Sequence, residues 1–222
     1  MSAERQDAPA GGRAGRPRDP GIDAAVLAST LRLLDEGGYA RLTLDAAARE
    51  AGTSKPAIYR RWGSRQRLVL AALSSRLGEV HAPDTGCTLC DLDECLKVFV
   101  AAFDRIAPDV LGPLLAECAE DEALRAEFMR ALFDPPRAAV REALARAHGR
   151  GDLRADVDRE LVLDLIGSFV HYRAVFAHAP MSHGEIERAV QTLLHGIATD
   201  FPALLAHSRR LAGDPDLHHL HA

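Results

Sequence analysis

Apolar residues recur at helical spacing along most of the chain, and no stretch alternates as a half-buried strand would. Val26, Thr30, Leu33 and Leu34 fall at i, i+4, i+7 and i+8, which predicts a helix over residues 22–37. Gly37 and Gly38 close it, and Tyr39 and Leu42 are placed to pack beneath it. Leu44, Ala47, Ala48 and Ala51 keep one face of a second, shorter helix, stopped by Gly52. Ile58 and Trp62, four apart, mark the inner face of a third. Ser64 caps a fourth helix over about 65–80, carrying Leu68, Leu70, Ala71, Ala72, Leu73 and Leu77. Residues 81–90 read as a loop. Beyond it the period predicts helices over 91–106, 108–119, 121–132, 135–150, 157–177 and 182–201. The class is therefore all-α: a three-helix head holding a helix-turn-helix, followed by a helical bundle.

The turn between the second and third helices has the chemistry of a DNA reader. Thr43 is placed to cap one helix and Ser54 the next, while Pro56 suits a first helical turn. Because a residue before proline avoids the helical region, Lys55 can itself be the boundary. With Ile58 and Trp62 inward, the outer face holds Lys55, Pro56, Tyr59 and Arg60. Two cations and a phenol on a rigid rod fit a major groove, where cations meet phosphates and side chains reach base edges. Small Ala57 lets the backbone approach, and its methyl can touch a thymine methyl. The bland alternative is a solvated helix with a basic side. The start of the fourth helix is a natural phosphate seat, and Arg65 adds charge there.

These residues resemble the helix-turn-helix of TetR-type transcriptional regulators. That motif has a Thr opening its first helix, an Ala-Gly-x-Ser turn, a Tyr in the recognition helix, a closing aromatic and a Ser-basic pair. Here they read Thr43, Ala51-Gly52-Thr53-Ser54, Tyr59, Trp62 and Ser64-Arg65, within a match over about residues 20–80. Thr53 departs from the usual small aliphatic, and Arg65-Gln66 from the common Lys-Glu. The resemblance implies a DNA-binding regulator whose helical body pairs with its twin and holds an effector pocket. No cofactor is implied.

Charge agrees with that division. Residues 1–75 hold 12 Lys/Arg against 8 Asp/Glu, a net of +4, whereas residues 76–222 hold 15 against 24, a net of −9. A basic head on an acidic body suits a protein that reads DNA with one end only. The expected division is an arm over 1–20, a DNA-binding head over 21–80, a ligand-binding and dimerising body over 81–205, and a flexible tail over 206–222. In the arm, Arg16 and Arg18 flank Pro17 and can enter an A·T-rich minor groove; a solubilising tail is the alternative.

Two further surfaces are expected in the body. Phe99, Phe103, Leu115, Cys118, Phe128, Met129, Leu132, Phe133 and Phe169 are candidates for the wall of an effector pocket. His171 and Tyr172 would be its few polar points, although each aromatic alone can equally be plain core. The penultimate helix is apolar on most sides, through Leu161, Val162, Leu165, Ile166, Phe169, Val170 and Phe176. The last keeps one apolar face, through Ile186, Val190, Leu193, Leu194 and Ile197. Together they predict a two-fold homodimer interface, the alternative being an internal bundle helix in a monomer.

Other chemistry is thin. No apolar run approaches a membrane span of ~20 residues, and the start lacks the apolar core of a signal peptide. Four cysteines without an export signal imply a reducing cytoplasm and free thiols. Cys87-x-x-Cys90, near His81 and Cys95, leaves open a redox- or metal-responsive regulator on the same fold, but one such pair is weak evidence for zinc. His218, His219 and His221 near the end read as a frayed polar terminus rather than a metal site. No nucleophile-base pair, phosphate loop or two-His metal motif points to an enzyme.

Overall fold

The computed structural model describes residues 20–212. Eleven helices are present among them: α1 Pro20–Arg41, α2 Leu44–Glu50, α3 Lys55–Trp62, α4 Arg65–Leu77, α5 Thr88–Asp104, α6 Pro108–Ala119, α7 Glu122–Phe128, α8 Asp134–Gly149, α9 Arg159–Phe176, α10 His183–Ile197 and α11 Phe201–Ala212. Their only extended pairing among the described residues is a single bridge between Leu153 and Ala198. Arg16, Arg18 and the three terminal histidines lie outside the described residues.

The head closes on a small core of Val26, Ala47, Ala48, Ile58 and Leu68, with Ile22, Leu44 and Trp62 against it. The larger core belongs to the body, yet it includes Leu34, Tyr39 and Leu42 from the end of α1 and Val69, Leu70 and Leu73 from α4. Two head helices are therefore built into the body, so the head cannot swing without disturbing body packing.

Gly38 shows how close that union is. Its φ of 68° lies in the left-handed region, and a Cβ there would collide with the Asp109 carboxylate of α6. Glycine lets the chain turn and lets α1 lie against α6. The helical spiral resumes past it to Arg41, beyond the stop expected at Gly37-Gly38.

Three other expectations are corrected. The seventh and eighth helices are not separated by a break. A widened π turn, Met129–Phe133, runs between them, because Pro135 and Pro136 sit at a helix start, where a missing N–H costs little. The helix predicted over 182–201 stops at Ile197, as Ala198 and Thr199 leave it to meet Leu153 and Asp152. Residues 206–212, expected in a flexible tail, belong to α11, which extends to Ala212 with Leu204 buried against the body.

Candidate functional site

The turn before α3 is fixed by backbone hydrogen bonds. The Thr53 N–H donates to the Ala48 carbonyl at 2.9 Å and the Gly52 N–H to Arg49 at 3.4 Å, with Gly52 at φ 65°. This double closure ends α2 and leaves the chain pointing straight into α3. Thr43 accepts from the Ala46 N–H at 3.1 Å and Ser54 from the Ala57 N–H at 3.3 Å. Each such cap is worth about 1 kcal/mol. Ser54, not Lys55, is the boundary residue, and both hydroxyls keep a proton to give to a phosphate.

Ile58 is fully buried and anchors α3 from behind. Lys55, Pro56, Tyr59 and Arg60 face solvent, and Tyr59 is 61% exposed. Ala57 is half-buried between the two faces. Lys55 reaches back to Asp45 at 2.8 Å, an exposed pair that a phosphate can displace at small cost. Arg60 has no ion-pair partner among the described residues, whereas its neighbour Arg61 is held by Asp23 at 2.6 Å. Among the described residues the helix thus presents one unpaired cation, one loosely held cation and a phenol on one face.

Arg65 does not belong to that face. Its guanidinium pairs with Glu117 of α6 at 2.6 Å and lies over the Tyr39 ring at 4.3 Å. Glu117 also accepts from the Tyr39 hydroxyl at 2.7 Å and from Gln66 at 2.8 Å. Burial pushes the Glu117 carboxyl up, but these hydrogen bonds and the Arg65 charge outweigh it and hold the group below its ordinary range. Burial and the bond to Glu117 push the Tyr39 phenol up. Arg65 is therefore a strut between head and body, joined by Arg67, which pairs with Glu127 of α7 at 2.8 Å. Glu117 was missed in the sequence because nothing local distinguishes it from any other helical carboxylate.

Part of the expected pocket wall converges in the body. Phe99 and Phe103 of α5 present rings to His171 of α9 at 5.5 and 4.7 Å, both edge-on. Phe133, at the end of the π turn, stacks on the same imidazole at 3.7 Å with planes 14° apart. Phe128 backs Phe133 at 5.2 Å. His171 Nε2 is buried with no protein partner among the described residues. The Gly167 backbone, one turn earlier, opposes the shift that burial imposes on the ring. Burial, and to a lesser degree the Arg137 charge, pushes the imidazole down to about 4, so the ring is neutral near pH 7.

The remaining pocket candidates do not join this cage. Leu115 is 38% exposed because the buried line of α6 runs through Val110, Leu111, Leu114 and Cys118. Tyr172, one residue round the helix from His171, faces out at 58% and meets Phe176 and His178 instead. Cys118 and Leu132 are fully packed core, and burial pushes the Cys118 thiol up to about 11. Phe169 lies under the Arg173 guanidinium in a separate open groove of about 560 Å³ between α9 and α10.

Comparison with known proteins decides the family. The sequence model for bacterial regulatory proteins of the tetR family matches residues 26–72. That for the tetracyclin repressor-like C-terminal domain matches residues 82–193. A DNA-binding transcriptional repressor TetR of Mycobacteroides abscessus is 32% identical over 173 residues, covering 77% of this chain and 90% of its own. The chain belongs to the TetR family of transcriptional regulators.

An uncharacterized HTH-type transcriptional regulator of Mycobacterium tuberculosis is 30% identical over 186 residues, 82% of this chain and 92% of that one. Among solved structures, a TetR transcriptional regulator from Agrobacterium tumefaciens aligns with a TM-score of 0.61 at 26% identity, covering 85% of this chain and all of that one. As a member of the TetR family, the protein is a DNA-binding transcriptional regulator and not an enzyme.

Within this TetR-family body, α9 has two apolar faces. Val162, Leu163, Ile166 and Val170 turn inward, while Leu161, Leu165, Tyr172 and Phe176 stand exposed. The expected pairing residues on α10 divide differently. Ile186, Val190 and Leu194 are buried in the chain's own core, because the single apolar face of α10 lies on α5, which removes them from a subunit interface. Leu193 and Ile197 are half-buried at its edge. No described helix is long and apolar enough to cross a membrane.

The expectation of four free thiols is corrected for one pair. Cys87 caps α5 and Cys90 lies in its first turn, which brings their Cα atoms to 5.2 Å and joins them as a disulfide. Both are buried, and His81 is apart beside Glu79. Cys95 and Cys118 remain buried thiols.

Proposed function

We propose that two copies of this chain bind a near-palindromic operator as a repressor, and that a small-molecule effector releases them. The observation that carries this reading is the outer face of α3. Lys55, Tyr59 and Arg60 are exposed together on a helix whose back is locked by Ile58. Thr43, Ser54, Pro56 and Ala57 supply phosphate contacts and close approach around them. Residues 21–80 form the reading head, and the body beyond holds the effector and the twin.

The exposed stripe of Leu161, Leu165, Tyr172 and Phe176 supports a pairing face on α9. Large apolar residues gathered on one helix of an acidic body mark an interaction surface. The open groove beside it, lined by Leu165, Phe169 and Leu193, continues that surface. Two-fold pairing would set two α3 helices about one or more DNA turns apart, ~34 Å each. The body controls that spacing because α1 and α4 share its core, and Glu117 and Glu127 hold the head against it.

The test begins with duplexes selected from random-sequence DNA by the purified protein. The reading expects an inverted repeat and a dimer in sedimentation. The double variant Leu165→Asp, Tyr172→Asp should sediment as a folded monomer and bind a full site at least tenfold more weakly. A wild-type monomer, or selected sequences with no shared pattern, would contradict the reading.

A further inference from the structure

We infer that His171 is the polar anchor of the effector site, and that the ligand is a flat aromatic molecule bearing a hydroxyl. The inference rests on the proposed reading of the body as an effector-binding unit. It starts from an imbalance inside the cage. Nε2 of His171 is sealed among Phe99, Phe103 and Phe133 with no protein group to bond it. A buried polar atom without a partner is costly and calls for an explanation.

The partner must fit either form of the ring. A neutral imidazole carries its proton on one nitrogen only, so the unpartnered Nε2 offers either a lone pair or an N–H. A ligand hydroxyl, which both donates and accepts, satisfies it in either case, whereas a carboxylate would bury its charge in an apolar shell and a hydrocarbon brings nothing. The nearby Arg137 does not change this for an anion, since its guanidinium is already paired with Asp164 at 2.7 Å.

The walls decide the ligand's shape. Phe99 and Phe103 meet the imidazole edge-on, leaving its face to Phe133. Phe133 lies nearly parallel to that face at 3.7 Å, where a planar ligand would lie. Unlike Phe99 and Phe103 it is only half-buried, and it ends the π turn Met129–Phe133. Such widened turns recur at functional sites. Phe133 is thus the removable member of the cage. A flat ring that displaced it would stack on His171 and bring its hydroxyl to Nε2.

The same turn leads to the head. Met129–Phe133 lies against α4, and α7 just before it holds Arg67 through Glu127. Moving Phe133 therefore presses on the helix that joins head to body.

The probes are 1-naphthol, naphthalene and 1-naphthoate, titrated calorimetrically into the full chain. One neutral hydrogen bond in a dry site predicts naphthol binding about five- to tenfold tighter than naphthalene. Naphthoate should bind no better than naphthalene. His171→Phe should bring naphthol and naphthalene within twofold of each other. Phe133→Ala removes the competing ring and should tighten naphthol while keeping its preference. Equal binding of naphthol and naphthalene by the wild type, no binding of either, or a preference that survives His171→Phe would overturn the inference. If His171→Phe does not fold, the wild-type ranking and Phe133→Ala decide it. Selection of a duplex by the ligand-free protein is read separately. Losing duplex selectivity breaks the functional reading, whereas losing only the naphthol preference breaks this inference.

Discussion

The reading face of α3 and the aromatic cage around His171 solve opposite problems. In the head, polar groups stand outside an apolar anchor: Ile58 is buried, and Tyr59 and Arg60 are exposed. In the body, one polar atom stands inside an apolar shell. The first arrangement loses little by waiting, because water solvates its cations until phosphates replace it. The second holds an unmet hydrogen bond that a matched ligand can satisfy. A surface site can therefore be rigid and still wait, while a buried one must be able to open, and the π turn beside Phe133 supplies the place.

Substitutions at the two sites should separate stability from binding in opposite ways. The largest effect is expected for Ile58→Ala. Removing that side chain from the head core should cost about 3 kcal/mol, read in denaturant melts, and should weaken DNA binding as α3 loses its anchor. A loss under about 1 kcal/mol would show that the head core does not hold α3.

The next effect belongs to the cage. The folded His171 titrates near 4, well below the ordinary 6.5. Between those values the unfolded chain takes up the proton and the folded chain does not. Stability should therefore fall as pH drops from 6.5 toward 4, by at most about 3 kcal/mol. His171→Phe should lose this component, so its stability relative to wild type improves steadily across that window. Parallel curves for the two proteins would place the imidazole in water.

Arg60 and Arg65 sharpen the contrast on a smaller scale. Arg60→Ala should weaken operator binding by about 1–3 kcal/mol and leave the melting midpoint unchanged. Arg65→Ala should do the reverse, lowering stability by about 1 kcal/mol or more as Glu117 loses its charged partner. Smallest is Ser54→Ala, where losing one cap should cost ~1 kcal/mol in melts.

The head was legible in the sequence because its signals are local. Thr43, Gly52 and Ser54 each act within a turn or two of their own position, and the structure uses them as spacing implied. The pairing of Arg65 was not legible because its partner, Glu117, lies 52 residues away. The cage was half legible. Phe99, Phe103, Phe128 and His171 were named from composition, but periodicity could not separate Leu115 and Tyr172, which turn outward by a fraction of a helical turn. For the same reason Ile186, Val190 and Leu194 read as a pairing face, although their partner is α5 of the same chain. The π turn left no mark at all, since Met129–Phe133 carries ordinary helix-forming residues.

The most direct measurement is the salt dependence of binding to the selected operator, for wild type, Arg60→Ala and Arg65→Ala. Log affinity should fall linearly with log salt, with a slope shallower by about 1 for Arg60→Ala and unchanged for Arg65→Ala. Three equal slopes, or a shallower slope for Arg65→Ala alone, would mean that the outer face of α3 is not what meets the phosphates.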